Sequence, residues 1–169
     1  VGSIADTAKV AVVVAEFAVA DPLGKLNMIG GAFQAIQRVV AGPGQPGVLP
    51  AMTVVVLVEL PPEHHNQQYP LGLALKDERD KTVEVPGAVG GTSQALRIQQ
   101  LVTAAPPSYP GLDQKRLWNR VQFVLNIQAG VPVEAGTVYS WVVEIDGHTR
   151  PEWRATFYVL PDQAKAVLG

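Results

Sequence analysis

The sequence predicts an all-β chain: an antiparallel β-sandwich, of jelly-roll or immunoglobulin-like type, in a single domain with long loops. Three observations predict it. Short runs of Val, Ile, Leu and aromatic residues alternate with period two. Turn chemistry separates them, at Asp21-Pro22-Leu23-Gly24, at the Gly/Pro stretch Gly42 to Gly47, at Pro86-Gly87 and at Asp146-Gly147. A helical period is almost absent.

Residues 1–7 read as a short polar arm. Between Ala8 and Phe17, Val10, Val12 and Val14 face one side and Ala11, Val13, Ala15 and Phe17 the other. Both faces are apolar, which predicts a central strand covered on both sides. The β-branched run disfavours a helix. A turn at Asp21 to Gly24 leads to a strand from Lys25 to Ile29, broken by a bulge or bend at Gly30-Gly31. Phe33 to Val40 continues as a strand, followed by an irregular loop over 41–50. Met52 to Leu60 is a buried strand stopped by Pro61 and Pro62. Tyr69, Leu71, Leu73 and Leu75 mark a half-buried strand. Asp77 to Lys81 is a polar turn, and Thr82 to Val85 a short strand.

Residues 88–117 read as an insertion, with a strand near Leu96 to Val102 and a loop from Ala105 to Gly111. Long loops in compact domains are frequent binding sites. Val121 to Ile127 and Tyr139 to Ile145 then alternate cleanly. Asp146-Gly147 predicts a tight hairpin into Trp153 to Leu160. Residues 161–169 form a tail, and no second domain is indicated within 1–169.

The 169 residues suffice for a sizeable core without staples. With no cysteine, disulfides, thiolate metal sites and cysteine nucleophiles are excluded. The net charge of -2 is unlike the basic balance of nucleic-acid binders, so no direct nucleic-acid contact is expected. Only 17% of residues are charged, against roughly 25% in an average soluble protein. Either subunit contacts hide surface, or a large two-sheet core of small residues accounts for it. No run reaches the ~18 apolar residues of a membrane span, so no membrane contact is expected. The start at Val1, small enough to follow a removed initiator methionine, shows no signal-peptide pattern.

Few motifs carry chemistry. Gly24-Lys25 lacks the Gly and Ser/Thr of a phosphate loop, with Val19 and Leu26 in those places, and reads as a hairpin exit. His64-His65 are adjacent, point apart on extended chain and match no zinc spacing, so they read as a solvated loop pair. His148 sits just past a hairpin turn. Gly91 to Ala95 misses a nucleophile elbow at Ala95. Glu16 and Lys25 face each other across the first hairpin or lie exposed at its edge. Lys115, Arg116 and Arg120 cluster near Trp118 and, with Tyr109, are the candidate partner contacts. Arg150, Trp153 and Arg154 look similar, with Trp153 in the core. No catalytic set, cofactor site or metal site is expected.

The segments Val12 to Ala18, Gly24-Lys25-Leu26-Asn27-Met28-Ile29-Gly30 and Phe33 carry a resemblance. They resemble an uncharacterised family of small β-sandwich domains in bacteria and phages. Its members join an acidic-aromatic-Ala strand end to a Gly-Lys-Leu-Asn-(apolar)-(apolar)-Gly motif. Met52 to Leu60, Val124 to Ile127, Pro132 to Tyr139 and Ile145-Asp146-Gly147 are similar as well. Glu16 stands where the family more often has Asp. The resemblance implies the fold and no chemistry. Low charge and a family that includes phages point to a non-enzymatic structural subunit of a larger assembly, such as a phage capsid-decoration, head or tail protein. Its expected partners are protein subunits, with homo-oligomers among them, and its expected location is the virion or else the bacterial cytoplasm. The alternative is a carbohydrate- or other ligand-binding module using Tyr109, Trp118 and Tyr158.

Overall fold

A computed structural model describes residues 2–22, 24–42, 44–87 and 91–162. Leu23 of the expected first turn, Pro43, residues 88–90 of the expected insertion and 163–169 of the tail lie outside the described residues. Most of the described chain is β-strand, in several antiparallel sheets, with very little helix. No helix among the described residues is long and apolar enough to cross a membrane.

The elements run α1 (Ile4–Thr7), β1 (Lys9–Ala15), β2 (Phe17–Ala20), β3 (Leu26–Ile29), β4 (Ala35–Ile36), β5 (Met52–Leu60), β6 (Gln68–Asp77) and β7 (Glu84–Pro86). Then follow β8 (Ser93–Ala95), β9 (Arg97–Thr103), β10 (Asn119–Ile127), β11 (Val138–Ile145) and β12 (His148–Val159). Two 3₁₀ turns, Pro62–His64 and Gln114–Arg116, sit between strands. One sheet has the order β1-β5-β10 and a second the order β4-β12-β11-β6-β9. β2 with β3, and β7 with β8, form two-stranded ribbons. All pairs are antiparallel except β4 with β12.

The period-two pattern explains the core. Val54, Val56, Val58 and Leu60 of β5, Leu71, Leu73 and Leu75 of β6, and Trp141, Val143 and Ile145 of β11 join one hydrophobic cluster with Trp153 and Phe157 of β12. Both large sheets thus bury one face in the same core. β6 is buried at more than alternate positions, because Gly72 and Ala74 on its outer face are small and Glu144 of β11 stands against Gly72. The Asp146-Gly147 loop joins β11 to β12 with both residues at positive φ, 53° and 78°, as a two-residue hairpin turn requires.

Three expectations change. The Val-rich β1 is an outer strand of its sheet, not a central one. Its second apolar face exists because the β2–β3 ribbon folds back over the sheet: β2 packs on β5 and β10, and Ala15, Ala18 and Val55 are buried outside the main cluster. Only the end of β1 is covered, and Lys9 and Ala11 stay exposed. The stretch from Phe33 to Val40 yields only the two-residue β4 and a bridge from Val39 to Val48, since only Ala35 and Ile36 run beside β12. The polar arm is in part α1. Ser3 and Asp6 form a reciprocal capping box that starts the helix, and Ile4 and Ala5 are buried in the core. The segment 88–117 carries β8 and β9, and β9 is the outer strand of the five-stranded sheet, paired with β6.

Candidate functional site

The outward face of the three-stranded sheet supplies the floor of the site. Register sets Lys9 of β1 opposite Glu59 of β5, and Glu59 opposite Arg120 of β10. The three charges therefore form one row across the sheet, positive, negative, positive. The Arg120 guanidinium donates to Glu59 Oε1, with Nε at 2.9 Å. Lys9 Nζ stands 4.2 Å from the centre of the Trp118 ring, within cation–π range. Lys9, from β1, thus lies against the indole.

The chain between β9 and β10 makes the wall. Asn66 and Gln67 exchange backbone hydrogen bonds with Ala104, which ties the start of this segment to the turn after β5. Leu112 N–H closes a turn onto the Tyr109 carbonyl at 3.1 Å, and Gly111 takes a φ of 75° there. Asp113 caps the Gln114–Arg116 turn by accepting from Lys115 N–H at 3.0 Å. Asn119 Nδ2 donates to the Ala105 carbonyl and pins the far end. The tip of the β2–β3 ribbon, at Ala20 and Gly24, forms the opposite side.

Between floor, wall and tip lies a cleft of about 750 Å³ lined by Tyr109, Arg116, Trp118 and Arg120, among others. Sites for small molecules usually fall between about 300 and 1,000 Å³. Four of the five residues singled out from sequence therefore share one cleft. The fifth, Lys115, shares the 3₁₀ turn with Arg116 but does not line the cleft. Tyr109 is 66% exposed and Trp118 40% exposed. Tyr158 is half-buried on β12 and does not line it either. Sequence reasoning missed Lys9, Glu59, Asn119 and Gln122. Lys9 and Glu59 carried a signal, each as a charge interrupting an apolar strand.

The other motifs resolve into structure. Asp21 accepts from Lys25 N–H at 2.8 Å and Gly24 has a φ of 75°, so the Gly-Lys pair is turn chemistry. No ion pair forms between Glu16 and Lys25; Glu16 packs under Gly30 instead. Ser93 Oγ donates to Glu84 Oε2 at 2.7 Å across the β7–β8 ribbon. His148 Nδ1 meets the Asp146 carbonyl at 2.9 Å within its own turn. Trp153 is in the core, with Arg150 5.2 Å from its ring centre. Among the described residues no group of three His, Cys, Asp or Glu side chains is placed to hold a metal.

The histidine pair is a correction. His64 is not solvated: it is 1% exposed, with Nε2 2.7 Å from Thr7 Oγ1 and Nδ1 3.1 Å from Gln67 Oε1. Gln67 Nε2 donates to the Glu63 carbonyl, so Oε1 faces the ring and accepts, and Nδ1 carries the hydrogen. Nε2 is in hydrogen-bond contact with the Thr7 hydroxyl, which also reaches the Ser3 and Ile4 carbonyls. The imidazole locks α1 onto the turn that holds the cleft wall. Sequence gave no sign of this, because Thr7 is brought in by tertiary packing.

A second cleft of about 740 Å³ lies between Arg38, Tyr139 and the Asp77–Lys81 turn. Its charges are of both signs, and Arg38 is committed to Asp162 and to the Val133 carbonyl. Burial raises the Tyr139 hydroxyl above its ordinary pKa, and that hydroxyl accepts from Glu134 N–H at 2.9 Å. Arg38 and the Tyr139 hydroxyl are thus engaged by the protein itself.

A mostly β chain of antiparallel sheets, with a surface cleft, is the class that these features define. The model of a family of unknown function (DUF6941) matches residues 10–160, and the chain belongs to that family. No curated protein matches it.

Proposed function

We propose that the two large sheets are the halves of a β-sandwich, and that the protein is a non-enzymatic structural subunit of a larger assembly. The shared core of the two sheets supports the first part. The observation that carries the second is the β2–β3 ribbon. Phe17 pairs with Ile29 and Val19 with Asn27, so these four share one face of the ribbon. Phe17 is 51% and Ile29 65% exposed, and Val19 is exposed beside them. The opposite face packs inward through Ala18. A two-stranded ribbon laid over a sheet with Phe17, Val19 and Ile29 turned outward is poorly explained by the needs of the monomer. It is well suited to a neighbouring subunit, which would also account for the low charge content. The sequence resemblance favours a phage particle as the setting, as a capsid-decoration, head or tail component.

The chain has no cysteine, so an introduced one is a clean reporter. Ile29→Cys is expected to react with a maleimide at low protein concentration and to be protected in the assembled form. Glu152→Cys, at an exposed position of β12, is the control and should react in both. Equal reactivity of Ile29→Cys at every concentration would contradict the proposal.

A further inference from the structure

We propose that the pocket beside Glu16 binds an ammonium or guanidinium group on an apolar stem, the chemistry shared by a free alkylamine and by a Lys or Arg side chain of a neighbouring subunit. The pocket is separate from the Trp118 cleft, and the inference does not need the assembly reading. It encloses about 480 Å³ where the end of β1, the chain leading into β4 and the start of β5 meet. Ala15 lies opposite Thr53, which brings Glu16 beside Met52. Phe33, Ile36, Pro50 and Met52 supply apolar walls, and Gln37 is the other polar side chain in the lining. Glu16 is exposed, yet it is set in place. Gly30 faces it without a side chain: a Cβ there would stand 2.7 Å from Glu16 Cγ and Cδ and 2.8 Å from Oε2. The Glu16 N–H donates to the Gly30 carbonyl at 3.4 Å. Backbone and side chain of Glu16 are thus both laid against Gly30.

The carboxylate has no partner in the protein. Among the described residues it accepts no hydrogen bond and joins no ion pair, and no other lining residue carries a charge. The cations of the adjoining segments are turned to other work. Arg38, next to Gln37, donates to Asp162 and to the Val133 carbonyl. Lys25 stands opposite Asp21 at the far end of the ribbon, and Lys9, at the other end of β1, lies against the Trp118 ring. These facts select the ligand. Apolar walls favour an apolar stem. A stem seated there strips water from the carboxylate, and a neutral or anionic head leaves that charge uncompensated. A cationic head replaces the water with a charge-assisted hydrogen bond.

The test is an NMR titration of the ¹⁵N-labelled full chain with n-butylammonium, n-butylguanidinium, n-butanol and butanoate at constant ionic strength. The Gly30, Gly31 and Ala51 amides should move with at least one cation. The alcohol should bind more weakly by roughly fivefold or more, the worth of a partly screened ion pair. Glu16→Gln should bring cation and alcohol to within about twofold of each other, with the rest of the spectrum unchanged. Glu16→Asp keeps the charge and should keep the preference. Where the chain associates, cation binding that is lost on association assigns the pocket to a neighbour's Lys or Arg, and binding that persists assigns it to a free amine. No shift at these amides with either cation at tens of millimolar would overturn the proposal. So would equal binding of the alcohol or of butanoate, or a preference that survives Glu16→Gln.

Discussion

Replacing His64 by Ala tests how the cleft wall is held. The ring stands where three segments meet: α1 through Thr7, the turn after β5, and the start of the wall through Gln67 and Ala104. His64→Ala deletes two hydrogen bonds, each worth about 0.5–1.5 kcal/mol net. It also leaves a ring-sized void at a position that is 1% exposed. Together these amount to about 2–4 kcal/mol of unfolding free energy. With a urea slope of roughly 2 kcal/mol/M, the midpoint should fall by about 1–2 M. Thr7→Val removes one of the same bonds and should cost about 1 kcal/mol. The double variant should then fall short of the sum by about 0.5–1 kcal/mol, because the two share a partner. Urea unfolding followed by tryptophan fluorescence reads all four states of the cycle. A midpoint shift under about 0.3 M for His64→Ala, or strict additivity in the cycle, would refute the lock.

Two more outcomes follow from the backbone and the carboxylates. Gly30 has a φ of 60°, and a Cβ there would stand 2.7 Å from the Glu16 side chain. Gly30→Ala should cost about 1–2 kcal/mol and lower the unfolding temperature by about 3–6 °C, and calorimetry showing no loss would contradict the strained turn. Hydrogen bonds from Ser3, Lys76 and Arg38 hold the Asp6, Asp80 and Asp162 carboxyls below their ordinary range. The folded chain therefore binds these protons less readily than the unfolded chain. Their contribution is present in full above the unfolded carboxylate range, ~3.9, and is lost as pH falls through the lower folded values. Thermal melts should be flat from about pH 7 to 5 and drop below about 4, with a smaller drop in Asp162→Asn; an unchanged drop in that variant would count against the pairing.

Much of the fold was legible because burial on one face imposes period two. β5, β10, β11 and β12 announce themselves that way, and Asp146-Gly147 announces its turn. What pairing decides was not legible. β1 looked central because its outer face is apolar, but the cover is a ribbon folding back from the next turn. The candidate site divides on the same line. Tyr109, Arg116, Trp118 and Arg120 lie close in sequence and were found together. Lys9 and Glu59 enter through strand register, and His64 through a helix distant along the chain. A sequence pattern gives a residue its face, and only register and packing give it neighbours.

The most direct test of the surface claim is sedimentation of the purified chain, wild type against the double variant Phe17→Ser, Ile29→Ser. About half of each side chain is exposed. Covering that half contributes about 1–1.5 kcal/mol per residue, so the pair should weaken association by roughly 30- to 150-fold for each copy's contribution. The wild type is expected to sediment as an oligomer at micromolar concentration, and the variant as an 18.0 kDa monomer with unchanged unfolding. A wild-type chain that stays at 18.0 kDa at every concentration, or an oligomer indifferent to both substitutions, would contradict the claim.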